Sequence, residues 1–160
     1  MMSAAIDFPS DMKLIGYSSC FISYAEEDRL IADKLHADLL ASGVPCWYFP
    51  VSAHSGETVW HEIGNAIRRY DQLVVILSEA SLRSQGVIRE IRRGLRQEAD
   101  TGRRVLFPVR LDDAVLEWKH ELAVDLQEVV IADFRKWKSK GKYQVAYRKL
   151  LADLIAPPDG

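Results

Sequence analysis

Leu73-Val74-Val75-Ile76-Leu77 is an unbroken run of aliphatic residues. A strand wetted on one face alternates and a strand covered on both faces does not, so this run predicts the centre of a parallel sheet. The same kind of unit recurs on either side of it. Upstream, Ser18-Ser19-Cys20-Phe21-Ile22-Ser23-Tyr24 reads as a strand. Glu26-Glu27-Asp28 follows, and carboxylates suit the positive end of a helix dipole. A helix is expected to start by Asp28, to turn Ile31, Leu35 and Leu39 toward the sheet, and to end in a left-handed residue at Ser42-Gly43. Val44 to Phe49 is the next strand, Pro50 to Glu57 a loop, and Val59, Ile63, Ala66, Ile67 and Tyr70 trace a helical face.

Downstream, Val87, Ile91, Leu95 and Ala99 share one face of a helix closed by Gly102, and Val105 to Val109 is a strand. Residues 112–127 form a polar, partly helical connection and Val129-Val130-Ile131 a short strand. Tyr143 to Ile155 is a last helix with Tyr147, Leu150, Leu151 and Leu154 inward. Strand and helix in alternation with right-handed crossovers make a doubly wound α/β sandwich of three layers on a five-stranded parallel sheet. Ligands of such sheets meet the carboxyl ends of the strands, here the loops 24–28, 50–57, 78–86 and 110–118.

With 160 residues, 48% of them hydrophobic and 28% charged, the chain is globular and sized for one domain. Residues 1–16 read as a leader, 17–155 as the domain, and 156–160, Ala-Pro-Pro-Asp-Gly, as a linker or tail toward a further domain or partner. Lys and Arg number 21 against 23 Asp and Glu, so the overall field favours neither nucleic acid nor an anionic membrane. No apolar run approaches the roughly 20 residues that span a bilayer. Cys20 and Cys46 lie in strand-like runs, which reads as buried free thiols in a reducing, cytoplasmic setting.

Several chemistries are absent from the pattern. Tyr24-Ala25-Glu26-Glu27 stands where a dinucleotide fold carries its glycine fingerprint, there is no Walker motif, and no G-x-S-x-G presents a serine. His36, His54, His61 and His120 have no partners at metal-ligand spacing, so no metal site is expected. Arginines crowd residues 68–110, but Arg92, Arg93 and Arg96 fall off the apolar face and interleave with Glu90, Glu98 and Asp100, which reads as a solvated helix surface. The lysines at 136, 138, 140 and 142 around Trp137 read as a charged loop.

Four blocks carry a resemblance: Cys20 to Tyr24 followed by acids; Val44 to Phe49 with a loop ending Ser55-Gly56-Glu57; Leu73 to Ser78; and Ser84-Gln85-Gly86-Val87-Ile88-Arg89-Glu90. In this order and spacing the chain resembles a TIR domain from about residue 18 to 155, and Asp133-Phe134-Arg135-Lys136-Trp137 is similar to bacterial members in particular. The resemblance implies a flavodoxin-like fold and one of two functions. Receptor and adaptor members are non-catalytic interaction modules, whereas many bacterial, plant and axonal members cleave NAD between nicotinamide and ribose as hydrolases or cyclases in immunity and signalling. The catalytic branch carries a glutamate at the end of an S-x-W-V-x-x-E pattern, which falls here on Glu90, with Ser84 at its head and Gly86 in the place of the Trp. Tyr24, Ala25, Gly56 and Glu57 match positions lining the family's nucleotide pocket, and Trp47 is a candidate aromatic surface for it. NAD would thus be substrate, no cofactor being needed, and self-association through TIR–TIR contacts, filaments included, the route to activity. A flavodoxin-shaped nucleotide sensor, the third reading, would keep a phosphate-binding loop that this sequence lacks.

Overall fold

The computed structural model describes residues 19–50 and 72–155. The leader, the loop and helix expected over residues 51–70, Gly56 and Glu57 among them, and the tail lie outside the described residues. Five parallel strands form one sheet: β1 (Cys20–Tyr24), β2 (Cys46–Pro50), β3 (Gln72–Leu77), β4 (Leu106–Arg110) and β5 (Ala132–Asp133), in the order β2-β1-β3-β4-β5. Every residue of β1 and β3 is buried, as the unbroken apolar run requires of strands covered on both faces. The order has its switch point between β1 and β3, the doubly wound arrangement of a flavodoxin-like fold.

Helix α1 (Arg29–Ala41) follows a 3-10 turn at Glu26–Asp28 and ends at Gly43, whose φ of 88° is open to glycine without a Cβ penalty. Its Ile31, Leu35 and Leu39 pack with Ile22 and Tyr24 of β1 and with Tyr143, Tyr147, Leu150 and Leu154 of the last helix, α4 (Lys140–Ile155). Polar ties hold the two helices together, Tyr143 donating to Asp38 Oδ2 at 2.6 Å and Tyr147 to the Asp38 carbonyl at 2.8 Å. Gln72 at the start of β3 donates to the Leu154 carbonyl at 2.7 Å. Cys20 and Cys46 are register partners, free and buried, and the neighbouring thiol and burial hold Cys46 well above the usual range.

The opposite face is covered by α2 (Gln85–Thr101), the 3-10 turn Ala114–Glu117 and the short α3 (Ala123–Gln127). Val87, Ile88 and Ile91 of α2 pack there with Phe21, Leu73 and Val75. The helix comes close to the sheet at Gly94, where a Cβ would stand 2.9 Å from Leu106 Cδ1 and 3.3 Å from Leu73 Cδ2. Ala99, assigned by periodicity to the apolar face, is exposed, because α2 has by then run past the end of the sheet.

The last strand is displaced from its expected place. Val129-Val130-Ile131 is not a strand; Ala132 and Asp133 pair with Val109 and Arg110 instead. Ile131 is taken into the α2-side core while Val130 is left 69% exposed, and Phe134 N–H donates to the Arg110 carbonyl at 2.9 Å. At a sheet edge the anchoring of Phe134 in the other core sets the register, not local apolarity.

Two outcomes follow from this packing. Gly94→Val should lower stability by about 1–3 kcal/mol, the usual cost of overpacking a close contact; an unchanged urea midpoint would show that α2 does not rest on Leu73 and Leu106. Burial pushes Tyr24 up to about 12, and burial with the Asp38 contact pushes Tyr143 further still. A raised tyrosine keeps its proton in the native state, so stability is full below the ordinary value of about 10 and is lost as pH rises through the folded values. Urea midpoints should hold up to about pH 9 and fall between about pH 10 and 12, and fall less in Tyr143→Phe; equal slopes would contradict the assignment.

Candidate functional site

Ser84 has extended backbone and its Oγ accepts from Val87 N–H at 3.3 Å, capping α2 where the chain leaves β3. Gly86 lies buried in the first turn, and Glu90, in the second, is 1% exposed, while its neighbour Arg89 is exposed. A carboxylate removed from water costs several kcal/mol that a surface position avoids. Its place in the sheet sets what that carboxylate can do.

Gly94 rests on Leu73, and Leu73 is level with Phe21 of β1. Glu90 is four residues nearer the start of α2, about 6 Å toward the carboxyl ends of the strands. Ser23, two residues beyond Phe21, climbs by about 6.6 Å, so Ser23 and Glu90 stand at one level. Around the helix, Glu90 is about 200° from Arg92. Arg92 pairs with Glu121 at 2.9 Å, in the connection from β4 to β5, and the Glu90 flank therefore looks the other way, toward β1 and β2. Phe21 and the half-buried Trp47 belong to the α2-side core. Ser23 shares that face of β1 with Phe21, is fully buried, and its Oγ has no hydrogen-bond partner among the described residues.

Of the residues the sequence singled out, Glu90, Ser84, Gly86 and Trp47 are thus brought to one side of the sheet. Tyr24 is not. Its ring packs in the other core, 5.7 Å from the Tyr48 ring, which donates from its hydroxyl to Asp33 Oδ1 at 2.7 Å. Ala25 closes the end of β1, its carbonyl accepting from Asp28 N–H at 2.8 Å. Gly56 and Glu57 lie outside the described residues.

The carboxyl end is also tied by contacts that spacing alone does not show. Ser78 Oγ donates to Asp28 Oδ2 at 2.5 Å, joining the loop after β1 to the loop after β3. Burial raises the Asp28 carboxyl above its usual range, opposed by that hydrogen bond. Ser78 and Ser81 exchange backbone and hydroxyl bonds of 2.8 and 3.1 Å, a short polar brace before α2. Glu98, further along α2, accepts from Val105 and Leu106 N–H at 2.9 and 2.8 Å and so pins the start of β4.

A cavity of about 900 Å³ lies elsewhere, along β4, β5 and α4, with Phe107, Val130 and Trp137 among its walls and Arg104, Lys136 and Lys142 at its edge. It contains none of the residues around Glu90 and lies at the β5 edge of the sheet. Among the described residues no group of side chains is arranged to hold a metal ion, and no helix is long and apolar enough to cross a membrane.

Known proteins agree with this architecture. A search of curated proteins gives no match. The TIR domain of the Toll-related receptor TRR-2 from Hydra magnipapillata superposes with a TM-score of 0.58 at 20% identity, covering 87% of this chain and 99% of its own. A TIR domain of the activated Roq1 resistosome, which recognises the pathogen effector XopQ, superposes at 0.51 with 19% identity, over 86% of this chain and 83% of its own. The sequence profile of the TIR domain matches residues 20–151, most of the chain and all five strands, and the protein belongs to the TIR domain family.

Proposed function

We propose that this TIR domain cleaves NAD between nicotinamide and ribose, as a hydrolase or a cyclase, and acts as a bacterial defence effector or signal producer in a self-associated state. The observation that carries the reading is Glu90, a carboxylate 1% exposed in the second turn of α2, on the flank turned toward β1. In this reaction the bond between ribose C1′ and the pyridinium nitrogen breaks. Its electron pair leaves with nicotinamide, which departs neutral, and the ribosyl ring becomes an oxocarbenium-like cation. The leaving group needs no proton, so what the site must supply is negative charge beside the ribose. Glu90 supplies it. Water then adds to C1′ and gives up a proton, or a ring nitrogen of the adenine closes the cycle.

Assembly belongs to the same proposal. The Pro50–Glu57 loop follows β2, next to the strand that Glu90 faces, and head-to-tail contacts through such a loop build open filaments. The Roq1 neighbour, a TIR domain within a resistosome, supports an assembled working state. A second reading, a non-catalytic adaptor, is favoured by one feature: Gly86 stands where the catalytic pattern carries Trp, and no aromatic side chain projects from that buried first turn.

Glu90→Gln keeps size and removes charge, and should lower NAD turnover by roughly 100-fold or more, as loss of one electrostatic stabiliser does elsewhere. Product chromatography on purified, assembled protein reads this directly. Asp100→Asn, exposed on the same helix, is the control and should turn over like wild type; Glu98 does not serve, since it pins β4. Full turnover in Glu90→Gln would remove the catalytic role, and no cleavage by wild type in any assembly state would leave the adaptor. Separately, Glu57→Lys should reduce both particle size by light scattering and turnover; if neither moves, the loop is not the contact.

A further inference from the structure

Ser23 is the feature that the fold does not explain. It is completely buried on the α2 side of β1, and its Oγ has no hydrogen-bond partner among the described residues. A buried hydroxyl left unbonded costs about 1–3 kcal/mol, and alanine would occupy nearly the same space without that cost. Strand register puts Ser23 in the strand between β2 and β3, beside Phe49 and Val75, and the rise of strand and helix from the Gly94–Leu73 contact brings it to about the level of Glu90 on the same side of the sheet. A hydroxyl can donate one hydrogen bond, and the carboxylate is the acceptor for which that donor matters most, because bonds to charged groups are about twice as strong as neutral ones.

We propose that Ser23 is a positioning residue for Glu90: when NAD enters, its Oγ–H donates to the Glu90 carboxylate and fixes the oxygen that faces the ribose. This rests on the catalytic reading of Glu90. The donor has two effects. It keeps the carboxylate ionised, since hydrogen bonding to the charged form favours that form. It also stops the carboxylate rotating away from the cation it must stabilise. The hydroxyl stays unbonded until the site is occupied, so its cost falls on the resting state and its gain on the reacting one, a pattern found where stability is exchanged for function.

The test compares Ser23→Ala and Ser23→Cys with wild type and Glu90→Gln in assembled protein. Cysteine is larger than serine and alanine smaller, but both lack a strong donor. Both variants should lower kcat by about tenfold or more, the loss expected of a hydrogen bond to a charged group, with KM for NAD within about twofold. The acid limb of the kcat profile should move to higher pH, because the carboxylate loses a partner that kept it ionised. Ser23→Ala should melt at or above the wild-type temperature. A purely structural serine gives the opposite, a lower melting temperature with the pH profile unmoved, and overturns the proposal. Normal kcat and pH profile in both variants while Glu90→Gln is inactive overturns it and leaves Glu90 standing. Absence of NAD cleavage in wild type, or full turnover in Glu90→Gln, removes both.

Discussion

Coverage of β1 and β3 on both faces is the constraint on which the rest of the molecule depends. Two strands with no wetted residue demand a helical layer on each side, and the chain supplies α1 and α4 on one face, α2 and α3 on the other. The height of α2 is then set by its packing into that face, Val87 and Ile91 in the core and Gly94 close on Leu73 and Leu106. Because interiors pack like crystals and a helix is stiff along its axis, that packing fixes where Glu90 stands two strand residues higher. The site is positioned by packing that lies below it.

The loops at the carboxyl end are held by hydrogen bonds that cross between elements. Asp28 accepts from Ser78, Asp112 accepts from Glu79 N–H at 3.0 Å, and Arg110 pairs with Asp113 at 2.6 Å. Arg135 joins the same cluster through Asp133 at 2.9 Å and Asp113 at 3.3 Å, and these bonds hold the Asp133 carboxyl well below the usual range. Exposed ion pairs contribute little individually, so their role is to register β3, β4 and β5 at their upper ends rather than to stabilise the domain. The arginine-rich stretch, which could have been a nucleic-acid surface, is in part absorbed into such pairs, Arg92–Glu121 among them.

What could be read in the sequence and what could not divide along physical lines. The central strands, the helix ends at Gly43 and Gly102, and the sheet face of α2 as far as Leu95 were legible, because each follows from a local pattern of burial or a local backbone requirement. The last strand was misplaced by apolarity, since at an edge the anchoring of Phe134 outweighs the character of Val129 to Ile131. Only the motif singles out Glu90; periodicity alone makes it one more acid beside arginines, and its burial does not follow from either. The face taken by Tyr24 and the level shared by Ser23 and Glu90 need strand register against helix height, which no one-dimensional pattern holds. One signal for Ser23 was present: a serine on the buried face of a strand otherwise built from Phe21, Ile22 and Tyr24.

The separation between packing and site also bears on why one family can contain both assemblers and enzymes. The two cores are closed by Leu73, Ile91, Leu106 and their neighbours on one side and by Ile22, Leu35 and Tyr143 on the other, with no contribution needed from Ser23 or Gly86. Alteration at these two positions leaves the apolar register intact, since neither sets a strand's pairing nor the Gly94 contact. Catalysis can therefore be gained or lost at the carboxyl end while the scaffold and its outer surfaces persist. Glu90 bears differently on the two readings: in an adaptor a carboxylate kept out of water in the second turn of α2 acts only through its contacts within the domain, whereas a site that stabilises a ribosyl cation uses its charge.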